Sequence, residues 1–170
     1  MKINGRTILQ RLYGVTRWGN RVSRARYFRG HGVHSPFVYA IVRQVFMQSK
    51  PIAEDGLFGD LCSAGIARRR AVQLRNLVAH CSYSRVVIDC ECEGYDFVVL
   101  TANFPTERLS AMADEARVSG TTLAVVAPYA NRERDVVCRQ IVETHHSTTV
   151  DNRGYLLIFN NHLPKQHFKL

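Results

Sequence analysis

RVVIDCECEGYDFVVLT, Arg85 to Thr101, is the stretch on which the fold of this chain turns. Its two runs rich in Val, Arg85–Asp89 and Asp96–Thr101, have the length and composition of strands covered on both faces. Only Cys90 to Tyr95 separate them. A parallel crossover ordinarily takes about a dozen residues or more. The spacing therefore predicts that the two strands form a hairpin, lie apart in the sheet, or pair with another chain.

Toward the C-terminus, helical and strand patterns alternate. Residues 106–119 read as a helix, 121–127 as a strand and 131–145 as a second helix. STTV and YLLIFNN then flank Asp151-Asn152-Arg153-Gly154, a turn sequence, so the chain is expected to close with an antiparallel hairpin. Toward the N-terminus, residues 66–80 read as a helix with Ala67, Ala71, Leu74, Leu77, Val78 and Cys81 inward, and Arg68, Arg69, Arg70 and Arg75 mostly outward. Residues 50–65 carry glycines and helix breakers and read as a connection. Ser35-Pro36 is a helix start, a hydroxyl able to cap before a proline suited to the first turn. That helix is expected to run to about Gln48, with Phe37, Ile41, Val42, Val45 and Phe46 on its buried face. A short helix is expected over residues 7–18, followed by the arm NRVSRARYFRGHG. The pattern is an α/β sandwich, a parallel strand–helix–strand unit with an antiparallel edge.

With 170 residues, 46% of them hydrophobic, the chain has the material for a single core. We divide it into a basic N-terminal arm, 1–35, and one α/β domain, 36–170. The net charge of +9 is unevenly placed: residues 1–50 hold ten Lys and Arg and no acid, whereas residues 51–170 hold thirteen basic and fourteen acidic side chains. The arm, with Trp18, Tyr27 and Phe28 among its arginines, could grip nucleic acid or rest on an anionic membrane surface. The apolar residues near Lys2 are interrupted by Arg11 and Arg17, so no signal peptide is read, and no window reaches the length of a membrane span. A cytoplasmic location is expected, and with it five free thiols.

The segment GHGVHSPFV, Gly30 to Val38, together with the closing YLLIFNNHLPKQHFKL, resembles a group of bacterial class I S-adenosylmethionine-dependent methyltransferase-like proteins. These carry the first motif near the N-terminus and end in a strand followed by a K-x-H-F tail. LRNLVAHCSYSRVVID resembles their helix and first strand, and YDFVVLTANF their D-F-V-F-I-D-G-N-H strand. The resemblance implies a three-layer Rossmann-like methyltransferase-type sheet, reduced, with a C-terminal antiparallel hairpin.

The departures from that family bear on function. Its glycine-rich turn after the first strand lets the backbone approach the cofactor. Here Glu91 stands where the first glycine would be, in the loop Asp89-Cys90-Glu91-Cys92-Glu93-Gly94. Two strands that in the family separate the first strand from the D-F-V-F strand are missing, and with them the acid that holds the ribose. Thr101 replaces the strand-end Asp, although Asn103 matches, and Ala127-Pro128 replaces an Asp-Asp pair. The expectation is a degenerate methyltransferase-like protein without catalysis, acting through a protein partner or as a homo-oligomer, with no cofactor unless the family function and its S-adenosylmethionine are retained. An active methyltransferase with an altered pocket and a nucleic-acid-binding module built on the basic arm are the alternatives.

Candidate functional residues are the loop residues Asp89, Glu91 and Gly94, together with His31, His34, Asp96 and Asn103. His31 and His34 lack an acid or cysteine placed to complete a metal site, and they read as hydrogen-bonding groups around a tight turn. Cys90-x-Cys92 with Cys81 and His80 lacks the usual zinc spacing, and no metal is expected. His145-His146 reads as a pair of imidazolium groups at the negative end of a helix.

Overall fold

The computed structural model describes residues 33–170, together with an antiparallel pair of two-residue strands, β1 (Lys2–Ile3) and β2 (Arg6–Thr7). Apart from those four residues, the expected N-terminal helix and arm, including His31, lie outside the described residues.

The first described helix, α1 (Pro36–Ile41), starts as the sequence predicts. The Ser35 hydroxyl accepts a hydrogen bond from the Val38 amide at 3.4 Å, and Pro36 occupies the first turn. A wide π-helical turn, Val42–Phe46, continues it, closed by a bond from the Met47 amide to the Val42 carbonyl. Val38, Ile41 and Val45 are fully buried, while Phe37 is partly buried and meets Phe159 edge-on at 5.1 Å.

Residues 50–65, expected as a plain connection, contain a helix, α2 (Gly56–Ser63). The Asp55 carboxylate caps it by accepting from the Phe58 amide at 3.1 Å. Gly56 and Gly59 each weaken a helix by about 1 kcal/mol. Burial of Phe58 and Leu61 returns about 1.5–3 kcal/mol apiece, so packing wins. Helix α3 (Arg68–His80) buries Ala71, Leu74, Leu77 and Val78 as expected, but Ala67 is the exposed residue just before it. Its buried polar residues hold the preceding segment in place. Gln73 Nε2 donates to the Phe46 carbonyl at 3.0 Å, Asn76 Nδ2 donates to the Lys50 carbonyl at 3.0 Å, and Asn76 Oδ1 accepts from the Ile52 amide at 2.8 Å.

The remaining elements are β3 (Val86–Ile88), β4 (Phe97–Leu100), a 3₁₀ turn (Thr106–Arg108), α4 (Leu109–Ser119), β5 (Thr122–Val126), α5 (Arg132–Thr144), β6 (Thr148–Asp151), β7 (Tyr155–Ile158) and β8 (Gln166–Lys169). The strands form one mixed six-stranded sheet in the order β3-β4-β5-β7-β6-β8. Only β7 runs against the others. Alternate residues serve two cores. Phe97, Val99, Ala124, Tyr155 and Leu157 pack with α1, α2 and α3, while Val98, Leu100, Leu123, Leu156 and Ile158 pack with α4 and α5. This is a three-layer α/β sandwich.

The pairing of β3 with β4 corrects the expectation drawn from their short link. They are parallel neighbours, Val86 opposite Phe97 and Ile88 opposite Val99. Because β3 has three residues, the return path is only about 7 Å along the strand and about 5 Å across. Even a short link reaches that far, since each residue can span about 3.3 Å. Asp89 at φ 55° turns the chain off the strand, and Gly94 at φ 80° helps turn it back. The link takes the place of a crossover helix by burying Cys92 completely against the core beneath α4. Glu115 accepts its amide hydrogen bond at 2.5 Å, and Thr121 Oγ1 bonds to the carbonyls of Cys92 and Tyr95 at 3.1 and 2.7 Å.

The C-terminal hairpin forms as expected from β6 and β7, but it does not end the sheet. The K-x-H-F tail adds β8 outside β6, parallel to it, and β7 is interior rather than an edge. The hydroxyl of Ser147 bonds to the Asn161 and Leu163 carbonyls, and that of Thr148 to Pro164, which holds the connection across the end of β6.

Candidate functional site at the carboxyl ends of the strands

In open α/β sheets, ligands bind beyond the carboxyl ends of the parallel strands. At the end of β3 the Asp89 carboxylate accepts two hydrogen bonds from Thr101, its amide at 2.7 Å and its hydroxyl at 2.6 Å. Asp89 thereby ties the end of β3 to the end of β4. Thr101, a departure at the sequence level, is the partner of the Asp89 carboxylate. Asn103 is exposed in the following turn, its amide donating to Thr101 Oγ1 at 3.3 Å.

Beside this pair lies Arg134, 1% exposed. The side chain of Asn131 caps α5 by accepting from the Arg134 amide at 2.8 Å, which sets the first turn against the strand ends. Arg134 donates to the carbonyls of Phe104 at 2.9 Å, Thr101 at 2.8 Å and Val126 at 3.2 Å. Its Nε has no hydrogen-bond partner. Burial lowers its pKa, but a guanidinium stays charged in a protein. The cation therefore fills the end of β4 and β5, held by main-chain oxygens. Sequence reading passed over it because arginines are mostly exposed. The signal was its spacing: Arg134, Cys138, Ile141 and His145 form one buried stripe at helical period.

The other predicted residues are not brought together with Asp89. Glu91 is exposed and pairs with Arg108 at 2.6 Å, a contact that holds its carboxyl below the ordinary range. Gly94 has positive φ, with open space where a Cβ would stand. Asp96 sits before β4, at the opposite end of the sheet from Asp89. It accepts from the amides of Arg85 and Ser84, the Ser84 hydroxyl and the Arg85 guanidinium at 2.9–3.0 Å, and these donors hold its pKa far below the usual carboxylate value. Its role is to anchor the start of β3. His34 is exposed, one residue before the cap of α1.

Farther along the same carboxyl edge, a groove of about 260 Å³ lies between α5 and the end of β5, β6 and β8. Asp135, Arg139, Asp151, His167 and Lys169 line it, with Cys138 and Leu156 as apolar wall. The Tyr129 hydroxyl donates to Asp151, Arg139 lies 3.5 Å from Asp135, and His167 Nδ1 shares a 2.8 Å hydrogen bond with Thr149 Oγ1. The pairing of β8 with β6 adds His167 and Lys169 to the groups from α5 and β6.

His145 corrects the reading of an imidazolium pair. It is buried, its Nε2 lies 2.8 Å from the Phe159 carbonyl, and burial lowers its pKa. As a neutral donor it links the end of α5 to the end of β7. Among the described residues, no three His, Cys, Asp or Glu side chains are grouped to hold a metal ion, and no helix is long and apolar enough to cross a membrane. Comparison of the chain with models of known protein families, with curated proteins and with solved structures finds no match in any of the three.

Proposed function

We propose that this chain is a reduced methyltransferase-type domain whose surviving role is interaction with a partner rather than methyl transfer. The observation that carries the reading is the carboxyl end of β3, β4 and β5, where the Asp89 carboxylate accepts from Thr101 and the buried Arg134 guanidinium bonds to the Thr101 carbonyl beside it. The strand order supports the methyltransferase-type part. Parallel β3, β4 and β5 continued by an antiparallel hairpin are what remains of such a sheet when the two strands outside the first are removed.

The residues present do not fit S-adenosylmethionine. Glu91 adds a side chain and a charge, paired with Arg108, where glycine would admit the cofactor. Titration calorimetry of the full chain with S-adenosylmethionine is expected to give no binding at physiological concentration. Micromolar affinity would overturn the proposal.

A second reading, an active methyltransferase with an altered pocket, has one observation in its favour, the groove along α5. Binding of S-adenosylmethionine that is lost in Asp151→Asn would select it.

A further inference from the structure

We infer that the face built from Tyr39, Arg43, Met47, Ile52, Arg68 and Arg69 docks on an anionic lipid surface. This names the partner for the interaction reading above and rests on that reading only in taking binding as the role. Tyr39, Met47 and Ile52 are 46%, 44% and 66% exposed, and they are three of the five exposed large hydrophobic residues among those described.

The contacts place these residues on one surface. Tyr39, Arg43 and Met47 follow one another at about one-turn spacing along α1 and its π-helical turn, and Arg43 Nη1 reaches Met47 Sδ at 3.8 Å. From Met47 the chain runs beside α3, where Gln73 and Asn76 fix Phe46, Lys50 and Ile52. Between that segment and the first turn of α3 lies a groove of about 540 Å³ lined by Met47, Ser49, Arg68, Arg69 and Val72. Apolar and cationic side chains thus stand side by side around this groove, with Tyr39 and Arg43 along the helix leading to Met47 and Ile52 on the segment that follows it.

Charge argues for the occupant. The first turn of α3 carries Arg68, Arg69 and Arg70 and no acid, at the helix end where cations are unfavourable. Among the described residues, Arg68 has an exposed pair with Glu54, while Arg43 and Arg69 pair with no carboxylate. In sequence, positions 1–50 hold ten basic residues and no acidic ones, Arg43 and Lys50 among them. Basic residues interleaved with exposed aliphatic ones match a bilayer surface, which offers phosphates and a hydrocarbon boundary together. A nucleic acid would use the arginines and Tyr39 but gain little from Met47 or Ile52.

The test is flotation of the full chain with vesicles of phosphatidylcholine alone, and of phosphatidylcholine mixed with phosphatidylglycerol. Wild type is expected to float only with the anionic vesicles, and less as salt rises. Met47→Ser combined with Ile52→Ser, which leaves every charge in place, is expected to weaken partition about tenfold. Arg68→Gln combined with Arg69→Gln should weaken it as well. These side chains are exposed except at their stems, so thermal midpoints should stay near wild type, and Tyr39→Ser provides a third variant if one pair fails to fold. No flotation with anionic vesicles overturns the inference. So does an apolar variant that partitions like wild type, or a single-stranded RNA homopolymer that binds wild type and the apolar variant equally and displaces the vesicles. Failure here leaves the cofactor titration untouched, so the two readings fall separately.

Discussion

Asp89 shows how one side chain can tie two neighbouring strand ends together. Its carboxylate serves the amide and hydroxyl of Thr101, a residue only 3% exposed, so Asp89→Ala leaves both donors without an acceptor. The expected loss is about 1–3 kcal/mol, read from urea midpoints. His145 makes a pH-dependent contribution. Burial lowers its folded-state pKa, with His146, Arg117 and Lys165 acting in the same direction, whereas in the unfolded chain the group titrates near its ordinary value of about 6.5. As pH falls through that value the unfolded state takes up a proton that the folded state resists, so stability declines until the folded group titrates. Thermal midpoints between pH 7.5 and 5.5 should therefore fall more steeply for wild type than for His145→Gln. Asp96 acts in a lower window. Its folded pKa is depressed by the amides of Arg85 and Ser84, so its contribution is complete above about pH 4 and is lost as pH falls below it. Asp96→Asn should destabilise at neutral pH and make little difference in strong acid.

At the scale of elements, the link between β3 and β4 does the work of a helix. Its burial separates two cysteines that stand two positions apart in sequence. Cys90 is exposed, whereas Cys92 is fully buried and its thiol is pushed up to about 12 by burial, with Glu115 and Glu91 adding to the effect. Cys138 beneath α5 is likewise pushed up to about 12. Only a thiolate reacts readily with an alkylating agent. Native-state alkylation followed by peptide mass analysis should therefore modify Cys90 first, and Cys92 and Cys138 only after denaturant is added. Early labelling of Cys92 would mean that the link opens independently of the domain.

For the whole molecule, the two sheet edges pose different problems. β8 is short, mostly exposed and carries Lys169, features that discourage edge-to-edge pairing. β3 carries Val86, Val87 and Ile88, all half-buried, and among the described residues no strand lies outside it. The expectation from the sequence is that the N-terminal residues or a second copy cover this apolar edge. Deleting residues 1–26 is expected to lower solubility or change the mass seen by light scattering. A truncated chain matching the full one in solubility, stability and mass would remove the edge as a reason for association.

Local pattern was enough for the elements whose signal is periodic and capped. Ser35-Pro36, the short Val-rich runs, the helical periods and the Asp151–Gly154 turn each act over a few residues, and α1, β4, β5, α5 and the β6–β7 hairpin follow them. Helix α2 was hidden because its glycines weigh against it locally, while the burial of Phe58 and Leu61 that stabilises it comes from α3 and the sheet. The candidate site was legible only in part. Asp89 and Asn103 share the carboxyl edge, but Asp96 stands at the other end because strand direction decides which end a residue occupies. Parallel pairing across a short link, the buried cation of Arg134 and the groove joining α5 to β8 depend on contacts between residues distant in sequence. The amino-acid sequence by itself determined the caps, periods and turns, because their energies are local. Tertiary structure alone decided strand order, the end of the sheet on which each acid lies and which charges are buried, because those follow from the packing of segments that no local pattern brings together.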